Sequence, residues 1–107
     1  MTDTESDTAK PACLLMTARV TDAAKMAAYA RAVAASGLIA AHGGVIAADG
    51  QPANRLEGWP DGVGALLITF PSRTAAESFW FSAKYQDELK PLRRGAGTVQ
   101  AAIFAAP

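Results

Sequence analysis

Histidine is the side chain that trades a proton most readily near neutral pH, and this chain has one, His42. It could act as a general acid or base. It also stands just before Gly43-Gly44, where a helix would end, and a histidine there complements the negative end of the helix dipole. Arginines supply the other charged chemistry. Arg19 is the one charge inside the first apolar run, on a mixed face with Thr17. A charge so placed must reach solvent, pair with an acid such as Glu57, or hold an anionic ligand. Arg93-Arg94 could bind an anionic substrate or stand in solvent, and solvent is the reading for Arg94. Arg73 falls in a first helical turn, a poor place for a cation, which points to a specific partner or to screening.

Trp80 and Tyr85, with Phe79 beside them, are large aromatics with polar tips. Such residues line small-molecule pockets, and at helical spacing they also fill plain cores. Phe81 falls off their stripe, which suits contact with a partner subunit. Cys13 reads as a buried small hydrophobe, and nothing in the spacing pairs it with His42 as a nucleophile. With one cysteine no internal disulfide forms. A zinc site would have to draw mostly on carboxylates, so no metal is expected. No phosphate loop, dinucleotide fingerprint or serine elbow is present.

The bulk properties narrow the setting. A chain of 107 residues is one domain. Its 10 basic residues equal its 10 acidic ones, which removes the charge footprint of a nucleic-acid binder. No apolar run nears the roughly 20 residues of a membrane span. Residues 1–11 are polar and acidic and read as a flexible tail ahead of a domain over residues 12–107. They lack the pattern of a secretion signal, so the expected location is cytoplasmic.

The chemistry must be positioned by a short series of elements. Residues 13–20 alternate as a strand. Thr21 or Asp22 caps an alanine-rich helix whose stripe carries Met26, Tyr29, Ala30 and Val33. Leu38 and Ile39 leave that stripe, so a kink is expected at Ser36-Gly37, and the helix stops at His42-Gly43-Gly44. Residues 45–48 form a short strand closed by Asp49-Gly50, and residues 54–57 are expected to pair back as a second arm. The strand 63–70 follows, then a helix capped by Ser72 or by Thr74 with Glu77. A short helical piece carries Tyr85, Leu89 and Leu92, and residues 98–105 end the series as a strand. The order is a split β-α-β arrangement, an antiparallel sheet with both helices on one face.

Residues 63–70 are apolar on both faces: Val63, Ala65 and Leu67 on one, Leu66, Ile68 and Phe70 on the other. One small chain has helices enough for one face. The other, roughly 400 Å² over four strands, is large for a monomer surface, so a two-fold dimer through the sheet is expected.

Taken together, Tyr29, His42-Gly-Gly44, Glu57-Gly58, Phe70-Pro-Ser72, Phe79-Trp80, Ser82, Tyr85-Gln86 and Pro91-Leu-Arg93 resemble a family of small bacterial proteins, a domain of unknown function in the dimeric α/β-barrel superfamily. The likeness runs from Leu14 to about Phe104. It departs in the turn Asp49-Gly-Gln-Pro52 and around Trp59. The resemblance implies an α+β ferredoxin-like fold paired sheet to sheet, and no established reaction. By matching position it implies that His42, Glu57, Trp80, Tyr85 and Arg93 belong to any pocket. Two functions follow. One is an enzyme or binder of a small aromatic or apolar acid, without a tightly bound cofactor: Arg93 or Arg19 holds the carboxylate, His42 moves a proton, and Trp80 and Tyr85 shape the walls. The other is a non-catalytic ligand-binding or stress-associated module.

Overall fold

The computed structural model describes residues 10–107, so the expected tail lies outside the described residues up to residue 9. Strand β1 (Ala12–Val20) runs into helix α1 (Ala23–Ser36) and the single turn α2 (Leu38–Ala41). Strands β2 (Val45–Gly50) and β3 (Val63–Phe70) and helix α3 (Arg73–Trp80) follow. A π-helical segment (Lys84–Leu89) and a 3-10 turn (Lys90–Arg93) then lead into β4 (Gly97–Ala105). The sheet order is β2-β3-β1-β4, with every neighbouring pair antiparallel. This is the ferredoxin-like α+β fold, its helices packed on one face.

Local chemistry explains the boundaries. Asp22 is the cap of α1, its carboxylate accepting from the Lys25 amide at 3.0 Å. The expected kink is a full break. Ser36 Oγ donates to the Val33 carbonyl and accepts from the Leu38 amide, while Gly37 takes the left-handed conformation at φ 67°. Gly44 closes the turn after α2 because a Cβ there would meet Ile39 Cγ2 at 2.7 Å and Phe70 Cε1 at 2.8 Å. Ser72, not Thr74, caps α3 by accepting from the Ala75 amide. Arg73 finds Glu77 one turn on, at 3.6 Å.

One expected element is absent. Residues 54–57 are not a strand but part of a loop, residues 51–62. The stretch offers a single apolar side chain, Leu56, which is 86% exposed. Without an apolar face there is nothing to hold it on the edge of the sheet.

The core lies between sheet and helices. Ala12, Leu14 and Met16 of β1 and Ile68 and Phe70 of β3 face Tyr29, Ala76, Phe79, Tyr85 and Leu89. The cross-strand rows Ile46–Ile68–Leu14–Ile103 and Leu66–Met16–Ala101 show how the pleat sends these residues to one side. The opposite row, Leu67–Leu15–Ala102 with Cys13 beside Phe104, forms the other face. Nothing among the described residues roofs it: Phe104 stays 56% exposed and Val45 64%. Cys13 belongs to this face and is half-buried rather than buried. No described helix is long and apolar enough to cross a membrane.

Candidate functional site

A cavity of about 390 Å³ lies between α1 and the sheet. Its walls are mostly apolar, with Met16, Met26, Val33, Leu66, Ile68 and Val99 prominent. Pockets for small molecules have this size and this character. The polar groups are few, and three of them sit together: Tyr29 from α1, Tyr85 from the π-helical segment and Arg93 from the 3-10 turn.

The chain builds this cluster by anchoring Tyr85 tightly. Ser82 Oγ accepts from the Tyr85 amide and donates to the Phe79 carbonyl at 2.8 Å. The wide turn that follows leaves both Tyr85 and Leu89 facing the core, at 1% and 4% exposure. Such π-helical turns are rare and recur at functional sites. The Tyr85 ring is wedged between Phe79, centroids 5.0 Å apart, and Trp80, at 5.1 Å. Gln86 Nε2 donates to the Trp80 carbonyl at 2.7 Å, and Lys90 lies over the indole. Trp80 therefore braces the site from behind and is not a cavity wall.

The two phenol oxygens are 2.7 Å apart. One hydroxyl donates to the other, which leaves one of the two protons free for a ligand. Burial pushes the Tyr29 phenol well above its ordinary range, the neighbouring Tyr85 adds to the rise, and Arg93 opposes it. Tyr29 is therefore a donor at neutral pH and not a phenolate. The Arg93 guanidinium lies 5.6 Å from the centre of the Tyr29 ring. Burial alone would lower its pKa; hydrogen bonding to Tyr85 and then to Tyr29 outweighs that and raises it. Its Nε is buried with no hydrogen-bond partner among the described residues. An unmet buried donor costs about 1–3 kcal/mol. A free phenol proton and an unmet guanidinium N–H on residues that line one apolar cavity are what an anionic oxygen requires. Arg93 also borders an outer hollow with Gln86, Lys90, Pro91 and Arg94.

The other candidate residues lie elsewhere. His42 does not line the cavity; its Nδ1 is 3.0 Å from the Leu38 carbonyl and its ring meets the edge of Phe79. Arg19 is exposed and donates to the Asp61 carbonyl rather than pairing with Glu57, which sits on the exposed loop. Tyr29, which falls on a helical stripe and in the family resemblance, and Asp49, which falls in a turn signal, both line the cavity. For Tyr29 a signal was present: a tyrosine instead of a phenylalanine on an inward stripe needs a partner for its hydroxyl.

Replacing Tyr29 by phenylalanine should cost about 1 kcal/mol in a denaturant titration, because the Tyr85 hydroxyl loses its mate. The pH response has a definite sign. A phenol whose folded pKa is raised stabilises the fold fully below the unfolded value near 10 and progressively less above it, since the unfolded chain gives up the proton first. The melting temperature should therefore fall above about pH 10, and less steeply in Tyr29→Phe than in the wild type.

Comparison with known proteins follows the fold. The chain is similar over 100% of its length to 94% of a protein of unknown function from Rhodopseudomonas palustris, at TM-score 0.66 and 16% identity. It is similar over 92% of its length to 99% of a Bacteroides thetaiotaomicron protein of unknown function, provisionally described as an oxidoreductase, at TM-score 0.61 and 13% identity. A Caulobacter crescentus protein provisionally described as an antibiotic biosynthesis monooxygenase aligns over 98% of this chain and 97% of its own, at TM-score 0.55 and 17% identity. At such identities the likeness is one of fold. No curated protein matches the chain. The family comparison goes further: residues 11–106 match the domain of unknown function DUF1330, and the chain belongs to that family.

Proposed function

We propose that this protein binds a small aromatic or apolar acid in the cavity under α1, with the acid head on Tyr29, Tyr85 and Arg93. The observation that carries this reading is a phenol proton and a guanidinium N–H without acceptors, on three neighbouring residues that line an otherwise greasy cavity. A carboxylate would take the Arg93 Nε–H and the free phenol proton, and the ring or alkyl body would displace water from the apolar walls. Binding without catalysis is favoured over proton transfer by one further observation: His42 is engaged with a backbone carbonyl away from the cavity. Should the bound acid pass through an enolate or another oxyanion, the same donors would stabilise it.

The working unit in this proposal is a homodimer formed sheet to sheet. Its support is the row of Leu15, Leu67, Ala102 and Phe104 that no element among the described residues covers.

Titration calorimetry with 3-phenylpropionate and with its neutral amide tests the ligand class. The acid should bind and the amide should bind at least about tenfold more weakly, since a charged hydrogen bond is replaced by a neutral one. Equal affinities would remove the acid from the proposal.

A further inference from the structure

The edge strand β2 carries a defect in its pairing. Ile46 faces Ile68 and Ala48 faces Leu67, so Ala47 is an extra residue in the ladder. Side chains alternate along a strand, and one inserted residue reverses the side of everything after it. In an unbroken register Asp49 would stand opposite Ala65, on the open face of the sheet. With the bulge it stands opposite Leu66, on the helix side, and it lines the cavity. Bulges recur beside functional sites, where they re-aim a side chain.

Asp49 is exposed while lining the cavity, so it stands at the mouth. Its carboxylate has no hydrogen-bond or ion-pair partner among the described residues. Arg93 lies on the segment that enters β4, and β2 and β4 are opposite edges of the sheet. Three strand spacings of about 4.8 Å separate those edges. The cavity draws its lining from all four strands. One apolar space is thus lined by a cationic donor from the segment that enters one edge strand and by a solvent-facing carboxylate on the other edge strand.

We infer that the ligand is two-ended: an aromatic or apolar acid whose far end carries a hydrogen-bond donor, a hydroxyl or an amine, received by Asp49. This rests on the reading that Tyr29, Tyr85 and Arg93 hold the acid. Asp49 also sets the orientation, because a ligand entering the other way round would place its carboxylate against a carboxylate.

The test is calorimetry on the full chain with two acids that differ by one hydroxyl, 3-phenylpropionate and 3-(4-hydroxyphenyl)propionate. The wild type should bind the hydroxylated acid about tenfold more tightly. Asp49→Ala should erase that preference, so that the two acids bind the variant within about twofold of each other. Asp49→Asn should keep part of it, since the amide oxygen still accepts. Equal affinities in the wild type, or a preference that survives Asp49→Ala, overturn the inference. If 3-phenylpropionate binds through Arg93 and the hydroxyl adds nothing, the two-ended ligand alone falls. If neither acid binds, the acid-pocket reading falls with it.

Discussion

Replacing Arg93 by methionine should raise the dissociation constant for 3-phenylpropionate by about 10- to 100-fold, the loss of a charge-assisted hydrogen bond in a low-dielectric cavity. Methionine keeps the aliphatic stem and removes the guanidinium that lies over the Tyr29 ring, so the charge and the donors go while much of the side-chain volume stays. The neutral amide should bind the variant about as well as it binds the wild type. That contrast separates a lost charge from a collapsed cavity. A variant that loses both ligands equally would mean that Arg93 shapes the walls and holds no acid. Arg94, exposed beside it, is the internal control: Arg94→Met should change the affinity by less than about twofold.

The second large effect concerns assembly. At micromolar concentration the protein should scatter light as a particle of twice the 11.1 kDa of one chain. Phe104→Glu should shift it to a single chain. Phe104 is largely exposed in one chain, so the change costs little folding energy. In the dimer it would bury an unpaired carboxylate against the partner's apolar face, a penalty of at least about 2 kcal/mol, or roughly 30-fold in dissociation constant. A wild type that scatters as one chain would leave the open face without its second copy. A Phe104→Glu variant that stays dimeric would place the interface somewhere else.

Much of the architecture is legible in the residue pattern, and the reason is that it rests on local rules. The two-sided apolar run of residues 63–70, the capping oxygens of Asp22 and Ser72 and the break at Ser36-Gly37 each reflect chemistry within a few residues. The site is harder to read because it depends on distant contacts. Tyr29 and Tyr85 are 56 positions apart, and only the folded chain brings their hydroxyls together. The bulge at Ala47 has no marker in the sequence, since nothing about an alanine says that the ladder will skip it. That single skipped residue decides whether Asp49 faces the cavity or the open sheet. The arm expected at residues 54–57 shows the opposite failing: turn chemistry alone suggests a hairpin, and the missing apolar face forbids it. Tyr85 and Arg93 stand out in the sequence for their type and position; Tyr29 shares the family resemblance, but its place on a stripe of core residues does not mark it as their partner.

The central claim is that an acid is held by two phenols and a guanidinium in the cavity under α1. A crystal structure of the protein soaked with 3-phenylpropionate addresses it most directly. The carboxylate should lie within hydrogen-bonding distance of Arg93 Nε and of one phenol oxygen of the Tyr29–Tyr85 pair, with the ring against Met16 and Leu66. A carboxylate found instead on the outer side of Arg93, among Lys90 and Arg94, with the inner cavity empty, would contradict it.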